Sequence, residues 1–284
     1  MQLIAPRRRF RARHAALVAQ DALLLGGLIA RWSYRLGLHG KLGVTLHEIG
    51  ISAQSRLPAP LVLAFASDFH AGPVTNPALF TDFMDAVIER RPDVLLLGGD
   101  YVSSRAQHAD MFSRCLSRYQ APLGTYAVLG NHDLWSGSER IARSLQSAGV
   151  QVLVNQNRSL PPPFDCVSVC GLDDPWAGSA DATATFKDAA PVRIFLTHSP
   201  DGLLLLDEER YHVGFAGHTH GGQIALRDGT QLVTAGGPLS RTYGRGRFAI
   251  PGNGPLLVSR GIGCTYLPVR INSDPELIIC TLLA

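Results

Sequence analysis

The chain has 284 residues, 46% hydrophobic and 17% charged, a globular composition long enough for one sizeable core. Its net charge of +3 is concentrated at one end: Arg7, Arg8, Arg9, Arg11 and Arg13 precede the first acid, Asp21, which leaves the rest at −2 and argues against nucleic-acid binding. Five cysteines, odd in number and without a C-x-x-C pair, argue against a disulfide framework and fit a reducing compartment.

Residues 1–43 read as a basic and apolar N-terminal segment ahead of one domain over residues 44–284. The apolar stretch Ala15 to Ala30 is interrupted by Gln20 and Asp21 and is too short for a transmembrane helix. It points to an interfacial helix, with arginines at anionic head groups and Leu23 to Ile29 in the acyl boundary. The cluster before Phe10 also has features of a twin-arginine export signal. The sequence therefore places the protein in the cytoplasm or on the cytoplasmic face of the inner membrane, with export as the other reading.

From about Pro60, short β-rich apolar runs alternate with helical patterns, which predicts an α/β layered architecture. "LVLAFASD" ends at Asp68 and leads to His70. Asn76-Pro77 then starts a helix, in which Leu79, Phe80, Phe83, Met84, Val87 and Ile88 recur at helical spacing until Pro92. "DVLLLGGD" ends at Asp100, and a helix is expected over about Ala106 to Tyr119. "TYAVLGNHD" delivers Asn131 and His132; Trp135, just beyond, either stacks on a substrate ring or packs in the core. Ser138 is expected to cap a helix through Leu145, with Gly149 past its end. "FDCVSVCGL" reads as a strand with Cys166 and Cys170 on one face. "RIFLTH" ends at His198, and "VGFAGHTH" at His218 and His220. The tail is rich in Gly and Pro, with strand-like pieces at "QLVTAGG", "GPLLVSRG" and "PELIICTLL".

Five apolar runs thus each carry a ligand-type group at the carboxyl end, where α/β sheets bind their ligands. Asp68, His70, Asp100, Asn131, His132, His198, His218 and His220 offer carboxylate, amide and imidazole atoms. That set suits a divalent metal such as Mn²⁺, Fe²⁺ or Zn²⁺. Eight groups exceed the needs of one ion; two ions about 3.5 to 4 Å apart and sharing a carboxylate would use them.

The blocks "SDFH", "GGDY", "LGNHD", "LTHSPD" and "GHTHGGQI", in this order from about Ala64 to Gln223, resemble the signatures of the calcineurin-like metallophosphoesterase superfamily. The resemblance implies a layered β-sandwich flanked by helices, with a dinuclear metal site at the carboxyl ends of the strands. It implies that Asp68, His70 and His220 hold one metal, that Asn131, His198 and His218 hold the other, and that Asp100 bridges them. His132 would then be a non-ligand histidine that contacts the phosphoryl oxygen or protonates the leaving group, with solvent hydroxide as nucleophile. The protein serine/threonine phosphatases of the superfamily read G-D-x-V-D-R-G, whereas "GDYVSSR" puts Ser103 where their second aspartate orients the catalytic histidine. Here Asp133 or a backbone carbonyl must do so.

"TYGRGRF" and "VSRGIGCTYLPVRINSDPEL" are similar to the bacterial branch that includes the phosphodiesterases called YaeI and YkuE and the UDP-2,3-diacylglucosamine pyrophosphatases of the chlamydial type. This implies hydrolysis of a phosphodiester or pyrophosphate, with a nucleotide-linked lipid of lipid A biosynthesis as a candidate substrate at a membrane surface. The alternatives are a broad phosphodiesterase on soluble substrates and a non-catalytic scaffold. Arg245, Arg247, Arg260 and Arg270 are placed to reach phosphate groups, since guanidinium offers paired donors, with Arg245 and Arg260 the candidate substrate-binding residues. No candidate ligand precedes Asp68, so removing the first forty residues is expected to spare hydrolysis of a soluble diester.

Overall fold

The computed structural model describes residues 7–51 and 57–284, with side chains from His14 onward; Arg7, Arg8, Arg9, Arg11 and Arg13 lie outside the described side chains. The chain opens with α1 (Arg7–Leu23), a 3-10 turn at Leu25–Gly27 and α2 (Leu28–Arg35). Gly26 and Gly27 take φ of 61° and 92°, a left-handed pair that breaks the apolar stretch into two helices. Among the described residues, no single helix is long and apolar enough to cross a membrane. His14–Leu23 and Leu25–Arg35, which together have the length and composition, are bent by 56°.

β1 (Gly43–Gly50) and β2 (Leu61–Ala66) follow, then α3 (Ala78–Arg90), β3 (Val94–Leu97), α4 (Ala109–Leu116), β4 (Thr125–Ala127), α5 (Asn131–Ser136), α6 (Ser138–Ser147) and β5 (Val150–Val152). The chain continues through β6 (Gln156–Ser159), β7 (Val167–Gly171), α7 (Ala182–Phe186), β8 (Val192–Leu196), β9 (Val213–Ala216), β10 (Gly246–Phe248), β11 (Leu256–Val258) and β12 (Glu276–Leu283). Two six-stranded mixed sheets result, ordered β1-β12-β2-β3-β4-β5 and β10-β11-β9-β8-β7-β6. β2 to β5 run parallel in the first sheet, and β7, β8, β9 and β11 in the second.

The sheets pack face to face through one apolar layer. In β2, Leu61, Leu63 and Phe65 face that layer, while Ala64 and Ala66 face α3, α4 and α6 on the outside. β12 alternates the same way, with Ile278, Cys280 and Leu282 inward and Leu277 and Ile279 outward. Burial on both faces is why these strands read as continuous apolar runs. α3 buries Leu79, Phe80, Phe83, Met84 and Val87 on one stripe and stops at Arg91, which is left-handed at φ 48° before Pro92.

Several local expectations need correction. Ser138 is the first residue of α6 rather than its cap, a place taken by Gly137. The helix expected over 106–119 is a 3-10 turn at Ala106–His108 followed by the shorter α4. "QLVTAGG" is not a strand: Gln231 makes one isolated bridge to Ala225, while Leu232 and Val233 are exposed. Cys166 lies before β7 and packs toward the inter-sheet layer, whereas Cys170 packs on the outer face with Phe195.

Phe69, between Asp68 and His70, is fully buried against Phe112, Phe83, Phe80 and Tyr101, with ring centroids 4.1 to 6.3 Å away. The aromatic cluster anchors the turn that follows β2. Phe69→Leu is expected to cost about 1–2 kcal/mol in urea unfolding of chelator-treated protein, with unchanged slope. A loss below about 0.5 kcal/mol would show that the cluster does not hold this turn.

Candidate metal centre

All eight strand-end groups converge at one place, although they come from both sheets. Asp68 and His70 follow β2, Asp100 follows β3, and Asn131 and His132 open α5 after β4. From the second sheet, His198 follows β8, and His218 and His220 follow β9. Asp68, His70, Asp100, His218 and His220 all have left-handed backbones, with φ between 44° and 71°. Non-glycine residues in that region cost about 1 kcal/mol or more each, and such strain collects at functional sites. Here it turns the chain directly after each strand, so that successive ligand-type side chains point into one space. The glycines of these blocks allow close approach. A Cβ on Gly130 would overlap the Asp100 carboxylate, and one on Gly217 would overlap Ser67.

Two sets of ligand atoms emerge. In the first, Nε2 of His70 lies 3.0 Å from Nε2 of His220, which is 3.5 Å from Oδ1 of Asp68. In the second, Nδ1 of His218 lies 3.2 Å from Nε2 of His198, which is 3.3 Å from Oδ2 of Asp100. Oδ2 of Asp100 is also 3.6 Å from Nε2 of His70, so one carboxylate oxygen faces both sets. Carbonyls fix the rings of the second set: Nδ1 of His198 donates to Gly98 at 2.7 Å and Nε2 of His218 to Gly236 at 2.9 Å. That aims the opposite nitrogens, Nε2 of His198 and Nδ1 of His218, inward. Oδ1 of Asn131 is buried and has no hydrogen-bond partner among the described residues, which fits an oxygen reserved for a cation.

Burial holds His70 and His220 well below the usual imidazole range and pushes His218 down to about 4, so these rings are neutral and able to ligate. Burial raises Asp68 to about 6. Burial alone would lower the His198 imidazole, but Asp100 beside it outweighs that effect and holds it well above the usual imidazole range. His198 and His132 in turn hold Asp100 well below the ordinary carboxylate range, against the cost of its burial. The donor set therefore fits divalent ions of borderline to hard character.

His132 is oriented by a backbone carbonyl, one of the two options left by Ser103 in place of an aspartate. Its Nδ1 lies 2.8 Å from the carbonyl oxygen of Ser103. Asp133 is a brace instead, accepting from the backbone N–H of Asp100, Tyr101, Val102 and Gly130 at 2.8 to 3.3 Å. Burial and neighbouring Asp100 push its carboxyl up to about 8 against those four donors. His132 could also reach a cation with His70 and Asp100 by distance alone.

His70, Asp100, Asn131, His132, His218 and His220 line a pocket whose other walls include Trp135, Trp176, Val233 and Tyr266. Arg245 and Arg260 do not line it. Arg245 donates to the Asn272 carbonyl at 2.7 Å, and Arg260 lies 3.4 Å from Glu276, so both guanidinium groups are engaged elsewhere.

Sequence reading missed two groups, Trp176 and Asp174, and Arg270, a candidate phosphate binder from its place in the tail, is engaged by the protein itself. The Trp176 ring lies 6.2 Å from that of His218, and its indole N–H donates to Asp201 at 2.7 Å. Asp174 turns the Trp176 loop by accepting from the backbone of Trp176 and Ala177. Arg270 is buried, donates to carbonyls of Gly263, Arg260 and Ser273, and reaches within 3.3 Å of Nδ1 of His220. The "DDPW" spacing was a turn signal that could have drawn attention to the first two.

Comparison with known proteins adds a family. The calcineurin-like phosphoesterase family model matches residues 61–222. The chain is 32% identical over 233 residues to phosphodiesterase YaeI of Escherichia coli K12, covering 79% of this chain and 83% of that protein. It is 30% identical over 200 residues to the uncharacterised metallophosphoesterase YkuE of Bacillus subtilis 168, with 68% and 69% covered. It is 27% identical over 267 residues to UDP-2,3-diacylglucosamine pyrophosphatase LpxG of Chlamydia trachomatis, with 74% and 80% covered.

Proposed function

The chain belongs to the calcineurin-like phosphoesterases and is a phosphoric ester hydrolase, and on that premise we propose that it cleaves a pyrophosphate in a nucleotide-linked lipid at a membrane surface. Asp68, His70 and His220 are assigned to one divalent ion, Asn131, His198 and His218 to a second, and Asp100 to both. Such ions, Mn²⁺, Zn²⁺ or Fe²⁺, lower the pKa of water and offset phosphoryl charge when bound. His132 is the proton donor. The Ser103 carbonyl fixes its Nδ1–H, which leaves Nε2 to protonate the leaving oxygen as the P–O bond breaks and oxygen from water joins phosphorus.

One observation carries the lipid reading: the apolar N-terminal helices adjoin the pocket mouth. Gln20 and Ser33 bond to the carbonyls of Tyr266 and Pro268, and Tyr266 itself lines the pocket. Around that seam Leu23, Trp32 and Leu36 are 75%, 62% and 69% exposed, and Tyr266 and Leu267 are 56% exposed. An exposed apolar rim beside a polar centre suits a substrate whose acyl chains lie against that rim. The name of the chlamydial relative supplies a candidate, UDP-2,3-diacylglucosamine, to be cleaved to UMP and the lipid 1-phosphate.

The test compares kcat/KM for UDP-2,3-diacylglucosamine and UDP-glucosamine at fixed metal and detergent. Each buried methylene is worth about 0.8 kcal/mol, so burial of four favours the diacyl substrate by about 3 kcal/mol, roughly a hundredfold or more. Equal values would remove the lipid reading and leave a broad phosphodiesterase on soluble substrates.

A further inference from the structure

We propose that Asp21, on the N-terminal helix α1, is a positioning residue for His132, acting through the Ser103–Ser104 turn. The proposal rests on the reading of His132 as proton donor. The carboxylate of Asp21 is buried and accepts from the hydroxyl of Ser103 at 3.4 Å and from that of Ser104. Ser103 in turn offers the carbonyl that takes Nδ1 of His132 at 2.8 Å. On its other side the turn is tied to the body, since the Ser103 N–H donates to the Ala71 carbonyl at 3.1 Å. α1 also packs against α5, the helix that carries His132. Two contacts thus hold the orienting carbonyl in place, one from the body and one from the N-terminal segment.

The chemistry of Asp21 is costly unless it serves this turn. Among the described side chains its hydrogen-bond partners are two hydroxyls, and no Lys or Arg pairs with it. A buried carboxylate carries a desolvation cost that an apolar residue at the same place would avoid. Ser103 stands where the protein phosphatases of the superfamily place an aspartate; here a carboxylate from another part of the chain holds, through hydrogen bonds, the turn whose carbonyl orients the histidine. The first forty residues are then part of the catalytic unit, against the expectation that their removal spares hydrolysis.

The experiment measures kcat, KM and bound Mn²⁺ for the wild type, Asp21→Ala, Asp21→Asn, His132→Gln and the Asp21→Ala/His132→Gln double variant. The substrates are a 4-nitrophenyl and a phenyl ester of the same phosphodiester. Asp21→Ala is expected to keep its Mn²⁺ and KM and to lose about 10- to 100-fold in kcat on the phenyl ester, a range typical of lost outer-shell orientation. On the nitrophenyl ester, whose leaving group needs little protonation, the loss should stay below about threefold. Asp21→Asn keeps an acceptor for Ser104 and should recover most of the rate. In the double variant Asp21→Ala should add nothing to His132→Gln. Additive losses, equal losses on both esters, or an unchanged phenyl-ester rate in Asp21→Ala would overturn the proposal. A wild-type phenyl-ester rate in His132→Gln alone would instead overturn the role given to His132. If Asp21→Ala does not fold, Ser104→Ala carries the same comparison.

Discussion

Asp100→Ala is expected to lower bound metal and to reduce kcat/KM at least about a thousandfold, about 4 kcal/mol of transition-state stabilisation. Oδ2 of Asp100 faces His198 at 3.3 Å and His70 at 3.6 Å, one member of each ligand set, so its loss opens both at once. The imidazoles would then meet around a cation with less negative charge to hold it. Oδ1 of Asp100 also accepts from the backbone N–H of His132 at 2.8 Å. Asp100→Asn therefore separates charge from shape, because the amide oxygen can keep that bond while the charge is gone. Metal content and steady-state rates on a nitrophenyl diester, after chelation and return of Mn²⁺, decide the matter. Full activity in metal-free protein, or two retained ions in Asp100→Ala, would sink the assignment.

His132→Gln should give the opposite pattern, with metal retained and rate lost. The glutamine amide can still meet the Ser103 carbonyl but has no proton to give, so the expected loss is roughly 10²- to 10⁴-fold, about 3 to 5 kcal/mol. The loss is smallest for nitrophenolate as leaving group. His70 and His132 have ring centroids 4.7 Å apart, close enough that a ligand role for His132 is the specific rival. A variant that loses an ion would establish that rival.

The core strands and the eight converging groups were legible because both signals are local. A buried strand writes its apolar run in consecutive residues, and here a ligand-type residue follows two to four positions later, as at Leu61 to His70 or Val213 to His220. β1 and β6 were missed because half-exposed edge strands such as "GVTLHEIG" and "QNRS" carry no such run. The surroundings of the site were illegible for a different reason. Asp21 meets a turn 82 residues away, and Arg270 meets a histidine 50 residues away, and nothing in either neighbourhood of sequence announces the meeting. Arg245 and Arg260 show the converse error: a guanidinium near a recognisable motif is engaged by its own surroundings before it can serve a substrate.

Each ligand set draws on both sheets: Asp68 and His70 against His220, and Asn131 and Asp100 against His198 and His218. Ions held there are cross-links between the two halves of the sandwich, and their binding is thermodynamically linked to folding. At a free concentration a hundredfold above its dissociation constant, one such ion adds about 2.7 kcal/mol to stability by mass action. The midpoint of thermal unfolding then follows metal supply, and a cell short of the ion holds less of the folded protein as well as less of the active one.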